Sequence, residues 1–249
     1  MSCGRAGIST APDITEDALL GGRVRLLQPR RGYRVAVDAV LLAAAVDVQQ
    51  GDRVLDLGAG VGAVGICLAA RVPECSVIGV ELQAFMADLA ERNARLNGRA
   101  DRMRIVVHDL AHPLPADLGL FDHVVTNPPY LAAAVADPSP DPGKALATVE
   151  SSAPLARWLA VATRAAKPGG TVTLIHRLDR LDEVLDQFER LGWGDLAVKG
   201  LPPAPRVLVR ARRGSPSRRD AAPLVLHRTE GGYTDAAEAI LRHAAPLAF

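Results

Sequence analysis

The chain is short of cysteine, of net charge and of long apolar runs, and each shortage removes a class of protein. Three cysteines, Cys3, Cys67 and Cys75, form no CxxC pair in 249 residues, which argues against a zinc ribbon and a disulfide scaffold. The most apolar stretch, residues 35–48, is interrupted by Asp38 and Asp47 and is shorter than the roughly 20 residues a spanning helix needs. The first twenty residues carry no apolar signal-peptide core, so the chain reads as cytoplasmic. A Ser/His/Asp constellation and a metal-ligand cluster are missing too. His108 and His112, four apart, are more readily structural than ligating, and no metal is expected.

Formal net charge is only +1, yet its distribution is uneven. Arg23 to Arg34 holds Arg23, Arg25, Arg30, Arg31 and Arg34 with no acid among them. From Lys199 a second acid-free stretch runs on through Arg206 to Arg219, with Arg206, Arg210, Arg212, Arg213, Arg218 and Arg219. Two such segments can present a polyanion-binding face on a protein that is neutral on average. Arginine-rich loops from a high-GC genome are the plainer reading of the same residues.

With 49% hydrophobic and 23% charged residues, the chain can bury a sizeable core. Short β-branched runs at 53–58, 76–81, 103–109, 121–126 and 171–176 alternate with helical patterns at 61–71, 84–97, 154–167 and 178–191. Two further runs, 195–200 and 206–212, flank the turn-rich Leu201-Pro-Pro-Ala-Pro205. Strands separated by crossover-length helices predict a Rossmann-like, doubly wound α/β fold. Its sheet should be mostly parallel and seven-stranded, with an antiparallel C-terminal hairpin at the edge because the last turn is too short for a crossover. Residues 50–249 are expected to form this domain and residues 1–49 an N-terminal extension packing on the ligand site. The irregular stretch 131–152 is either disordered or a lid.

The chemistry concentrates at two junctions. Asp56-Leu-Gly58-Ala-Gly60-Val-Gly62-Ala-Val-Gly65 joins the first strand of the domain to a helix, where glycines let backbone approach a ligand. Gly60, Gly62 and Gly65 satisfy GxGxxG, and Glu81 stands where a ribose-binding acid belongs in a nicotinamide-binding fold. Asp56 inside the strand end and Asp109 at the end of the third strand argue against a dinucleotide, since added carboxylates do not favour a pyrophosphate. A phosphate-free cofactor with a sulfonium, an ammonium and an adenosine suits the acids better, and S-adenosyl-L-methionine is such a cofactor. The second junction is Asn127-Pro128-Pro129-Tyr130. Methylating a planar amino group requires its delocalised lone pair to be turned toward the donor methyl. The Asn127 side-chain carbonyl and the Pro128 backbone carbonyl can hold two N–H bonds, and Tyr130 offers a ring for stacking.

Together these residues resemble the class I S-adenosylmethionine-dependent methyltransferases that act on amino groups. Gln28-Pro-Arg-Arg-Gly-Tyr33 with Val37-Asp38-Ala39-Val-Leu-Leu42, and Leu226-His-Arg228 with Gly231-Gly-Tyr-Thr234, resemble the flanks of the bacterial valine-tRNA adenine-37 N6-methyltransferases. The resemblance implies that Gly58, Gly60 and Gly62 line the methionine end of the cofactor, with Asp38 near its amino group. It implies Glu81 and Leu82 at the ribose, Asp109 and Leu110 at the adenine, and Asn127, Pro128 and Tyr130 at the acceptor. It further implies RNA, tRNA in particular, as partner, held through Arg23 to Arg34 and Arg206 to Arg219. A glutamine N5-methyltransferase acting on a protein such as a release factor uses the same tetrapeptide. That family, however, generally carries a longer helical N-terminal domain than the residues before Arg53 would supply. A DNA adenine methyltransferase would call for a separate target-recognition domain, and none is apparent. The glycines alone leave open a nicotinamide-dependent oxidoreductase.

Overall fold

The computed structural model describes residues 13–32, 34–130, 153–214 and 217–249. The stretch 131–152, expected to be disordered or a lid, lies outside them, as does Tyr33. In chain order the elements are β1 (Ile14–Leu19), β2 (Val24–Pro29), α1 (Val37–Ala44), β3 (Arg53–Leu57), α2 (Ala63–Arg71), β4 (Ser76–Glu81), α3 (Ala84–Leu96), β5 (Met103–Val107) and β6 (Phe121–Thr126). They continue with α4 (Leu155–Ala165), β7 (Ala166–Arg177), α5 (Leu181–Arg190), β8 (Gly194–Gly200), β9 (Arg206–Arg212), β10 (Arg218–Ala221) and α6 (Asp235–His243). No helix among the described residues is long and apolar enough to cross a membrane.

The central sheet runs β10-β8-β9-β7-β6-β3-β4-β5. The expected α/β architecture is present, with β9 antiparallel between β7 and β8 and the remaining pairs parallel. Two expectations need correction. Among the described residues the sheet has eight strands rather than seven, and the β8–β9 hairpin is not its edge, because β10 pairs in parallel with β8 outside it. β10 is four residues long and reads Arg-Arg-Asp-Ala, an unpatterned polar run with no periodicity to reveal a strand. Pro168-Gly-Gly170 lies within β7. Pairing jumps from Phe121↔Ala166 to His123↔Thr171, so these residues form a bulge inside β7, after the helix has ended at Ala165.

Side chains alternate across the sheet with the period of two that a pleat imposes. Val54, Val125, Ile175 and Leu208 join Val40, Ile66, Leu89 and Ile240 of α1, α2, α3 and α6 in one apolar layer. Leu55, Val124, Leu174 and Val209 join Trp158, Leu159 and Phe188 of α4 and α5 in the other. The first layer also receives the N-terminal hairpin, whose β1 and β2 pair antiparallel. Its attachment is polar. Asn93, fully buried on α3, accepts from Leu27 N at 2.7 Å and donates to Leu27 O at 2.8 Å and to Val61 O at 2.9 Å. One turn on, Asn97 does the same to Arg25, at 2.9 Å from N and 2.7 Å to O. Four helical residues rise about 6 Å and two strand residues about 6.8 Å. Two side-chain amides can therefore stand in for a neighbouring strand.

Replacing Asn93 by alanine strands the Leu27 N–H and C=O and the Val61 carbonyl. At about 1–3 kcal/mol for a buried unsatisfied group, we expect Asn93→Ala to lose about 2–4 kcal/mol in urea unfolding. A loss below 0.5 kcal/mol would rule out the amide ladder as the hairpin's anchor.

His176, on β7, is fully buried, and neither ring nitrogen has a hydrogen-bond partner. Burial, then the nearby Arg180 charge, pushes its pKa down to about 4. Unfolded, it titrates near 6.5, so between about pH 6.5 and 4 only the unfolded state binds the proton. Stability should therefore fall as pH drops through that window, by up to about 3 kcal/mol. The difference between wild type and His176→Leu between pH 7 and 5 isolates this contribution from that of the carboxylates. Parallel pH curves for the two proteins would exclude it.

Candidate active site

Register places the chemistry in one row. Leu57 pairs with Val80 and with Thr126, Glu81 with Val107, and Thr126 with Leu174. The residues that follow, Gly58, Asn127 and Asp109, with Glu81 closing β4, therefore share the carboxyl edge of the sheet, where open α/β sheets bind ligands.

The loop after β3 is shaped by close approach. Gly58 has φ +72°, and a Cβ there would lie 2.6 Å from Trp158 Cη2 on α4. Gly60, at φ +55°, faces open space instead, leaving bare backbone toward whatever binds. Glu81 Oε2 accepts from Gly60 N at 2.8 Å and Oε1 from Gln83 N at 2.9 Å. Its burial raises its pKa, against those backbone hydrogen bonds. Asp56 is expected to contact the cofactor, but its carboxylate is enclosed, at 1% exposure, with one oxygen unpartnered. Burial and the Glu81 charge push its pKa up to about 7, while the Gly65 N–H opposes the shift. Asp56 thus receives the Gly65 N–H, in the first turn of α2, from beneath the loop.

Farther along the edge, Leu82 is 39% exposed beside Glu81. Asp109 is half-buried and accepts from Ala111 N at 2.8 Å, a tight turn that leaves its second oxygen for other partners. Leu110 is buried, and Arg157 of α4 donates to its carbonyl at 2.6 Å. Gly62, the third glycine, sits behind the loop, where a Cβ would meet Met103 Cε at 2.8 Å. An apolar shelf flanked by two carboxylates, next to a glycine open to solvent, fits an adenosine without phosphates. Among the described residues no group of three or more His, Cys, Asp or Glu could hold a metal ion.

Beyond β6, Pro128 is buried and Asn127 and Tyr130 are half-buried. The Tyr130 hydroxyl lies 2.5 Å from Asn127 Oδ1 and 2.9 Å from Asp38 Oδ2. Asp38 stands in the first turn of α1 and pairs with Arg206 Nε at 3.3 Å. The Arg206 guanidinium lies over the Tyr130 ring, 4.5 Å from its centroid. His176 meets the same ring edge-on at 5.4 Å, and Arg180 Nη1 donates to the Tyr130 carbonyl at 3.3 Å. Asp38, Asn127 and Tyr130 are thus brought together. Arg180, His176 and Trp158 are members that sequence reasoning missed, and Arg206, expected only as one end of an RNA-holding segment, joins them. Arg206 carries no local signal beyond starting a strand after a proline-rich turn.

The two arginine segments do not make one continuous rim. Arg25, Arg30 and Arg34 pair with Glu16, Asp13 and Asp17 of the neighbouring strand and its approach. β9 runs antiparallel to β7, so Arg206 meets Arg177 at the carboxyl edge whereas Arg212 meets Thr171 at the opposite one. Six strand steps separate them by about 20 Å.

The family described as methyltransferase small domain matches residues 34–139. A tRNA1(Val) (adenine(37)-N6)-methyltransferase from Aeromonas hydrophila is 29% identical over 214 residues, 83% of this chain and 87% of that protein. Its namesake from Porphyromonas gingivalis is 32% identical over 158 residues, 61% of each chain. Among solved structures, a predicted O-methyltransferase from Agrobacterium tumefaciens superposes with a TM-score of 0.69 at 27% identity, covering 85% of this chain and 99% of that one. Together with the row of strand ends and the glycine-rich first junction, these likenesses support a class I S-adenosylmethionine-dependent methyltransferase.

Proposed function

We propose that the chain methylates the N6 amino group of adenine in tRNA. The observation that carries this reading is the register of β6 on β3, which sets Asn127 and Pro128 beside Gly58. The names of the Aeromonas and Porphyromonas relatives support the acceptor. A protein glutamine draws no such support, and an oxidoreductase none.

S-adenosylmethionine supplies an electrophilic methyl on a sulfonium. Asp38 faces its ammonium, Gly58, Gly60 and Gly62 form the loop at its methionine end, and Asp56 braces that loop. Glu81 takes the ribose hydroxyls with Leu82 beside them, and Asp109 the adenine amino group with Leu110 at the ring. At the acceptor, Asn127 Oδ1 and the Pro128 carbonyl accept the two N–H bonds of the exocyclic amine and turn its lone pair toward the methyl. The base stacks on Tyr130. The cofactor would supply the methyl and keep the S–C electrons on its sulfur, while Asn127 and Pro128 hold the acceptor nitrogen's lone pair toward it. The methylated nitrogen is then acidic and sheds its proton to water, so no strong general base is needed. A hydroxyl acceptor would need one, and Asp38, the acid hydrogen-bonded to Tyr130, is already engaged by Arg206 and Tyr130. That favours an amine over the oxygen acceptor named for the Agrobacterium protein.

For tRNA itself, the arginines at the carboxyl edge are the better candidates. Arg31 occupies the short connection between β2 and α1 that leads to Asp38, and Arg206 opens β9. Arg212, Arg213, Arg218 and Arg219, the remainder of the second segment with Arg210, lie toward the far edge. Arg210 is further occupied over the Phe249 ring at 4.6 Å.

Two variants separate acceptor from cofactor. Asn127→Ala should leave affinity for S-adenosylhomocysteine nearly unchanged while single-turnover methylation of tRNA falls by roughly two orders of magnitude or more. Glu81→Ala should weaken the same ligand by about 1.5–3 kcal/mol in calorimetry. Wild-type turnover by Asn127→Ala would end the acceptor assignment.

Salt dependence tests the RNA face. Removing one phosphate contact lowers the slope of log affinity against log salt by about 0.9. Arg31→Ala should do so, and the double change Arg212→Ala with Arg213→Ala should not. The reverse pattern would put the RNA on the opposite edge.

A further inference from the structure

Arg206 holds the acceptor groups shut. Its guanidinium covers the face of Tyr130 at 4.5 Å and pairs with Asp38 at 3.3 Å. Both side chains of that pair are mostly enclosed, 25% exposed for Arg206 and 17% for Asp38. The Tyr130 hydroxyl, between Asp38 Oδ2 and Asn127 Oδ1, has a single hydrogen for two oxygen acceptors. Asn127 Oδ1, which an incoming amine must reach, is thus engaged by the chain's own tyrosine, and the stacking face by its own arginine. His176 backs the ring from a fully buried position, so the ring cannot retreat into the core. A planar base that stacks on the face Arg206 covers must displace Arg206.

We propose that Arg206 is a positioning residue that keeps the acceptor site closed until a cation other than its own arrives at Asp38. This rests on the function proposed above, in which Asp38 takes the cofactor's ammonium. One enclosed carboxylate favours one close cation. An ammonium settling on Asp38 removes the ion pair that anchors Arg206, and the guanidinium swings off the ring toward the solvent side of β9. The vacated face is a planar slot of the size of a guanidinium or an aromatic base, and the base follows. Cofactor therefore binds before acceptor, and the two bindings are positively coupled through Arg206.

The test compares wild type, Arg206→Gln and Arg206→Ala, with thermal unfolding as the folding control. The glutamine keeps reach and a planar amide without the charge. Calorimetry measures S-adenosylhomocysteine and its desamino analogue, which lacks only the ammonium. Both variants should bind S-adenosylhomocysteine about five- to tenfold more tightly than wild type, the scale of a modest coupling, while the desamino analogue is unaffected. The tRNA affinity of wild type should rise at least fivefold when S-adenosylhomocysteine saturates the enzyme, and in Arg206→Ala that enhancement should fall below twofold. A wild type that binds both analogues alike would remove Asp38 as the ammonium's partner, and with it the cofactor assignment on which the proposal rests. A wild type that prefers the ammonium, with variants that bind S-adenosylhomocysteine no more tightly or keep the full tRNA enhancement, would overturn the role of Arg206 and leave the enzyme's function standing.

Discussion

The site depends on the pairing of Leu57 with Thr126. β3 and β6 lie side by side at the centre of the sheet, and the Thr126 hydroxyl adds a buried bond to the Leu57 carbonyl at 3.0 Å. Because both strands end at that pair, the next residue of each, Gly58 and Asn127, leaves the sheet at the same level. A one-residue slip of β6 would turn Val124 and Val125 to the wrong layers, so the packing that stabilises the domain also sets the Gly58 loop beside the Asn127 motif. The alignment of these two junctions is a consequence of core patterning.

The acids explain why glycines in a GxGxxG arrangement do not make a dinucleotide site. In such sites the exposed amides near the start of the helix face a pyrophosphate. Here the Gly60 amide is taken by Glu81, and Asp56 lies buried close by with its pKa raised partly by the Glu81 charge. Two enclosed carboxylates under one loop disfavour an approaching phosphate. They leave the edge suited to hydroxyls, an amino group and positive charge, which is the chemistry of S-adenosylmethionine.

Local pattern made most of this legible. Residues 76–81 and 121–126 are strands with the expected bounds, and 206–212 forms the second arm of an antiparallel pair. Asp38, Glu81, Asn127 and Tyr130 could be singled out because each sits in a short motif or at a strand end. Features built from distant partners could not. β2 is held by Asn93 and Asn97 across 66 and 72 residues, and two asparagines four apart on a helix ordinarily read as a solvated face. Arg206 reaches Asp38 across 168 residues, and nothing near either announces the other. β10 has neither alternation nor length.

The arginines show the same limit in electrostatic form. A window from 23 to 34 holds no acid and reads as a cationic face. A hairpin, however, brings β1 against β2, and three acids just outside the window, Asp13, Glu16 and Asp17, land on Arg30, Arg25 and Arg34. Charge along a strand is therefore poor evidence of charge on a surface, because the neighbouring strand contributes to the same patch. What survives neutralisation is set by register. The cations that matter for a ligand at the carboxyl edge are those that pairing brings there, and Arg206, first residue of β9 and partner of Arg177, reaches it while Arg212 on the same strand does not. A six-residue difference on one strand thus separates a residue in contact with Tyr130 from one at the far side of the sheet.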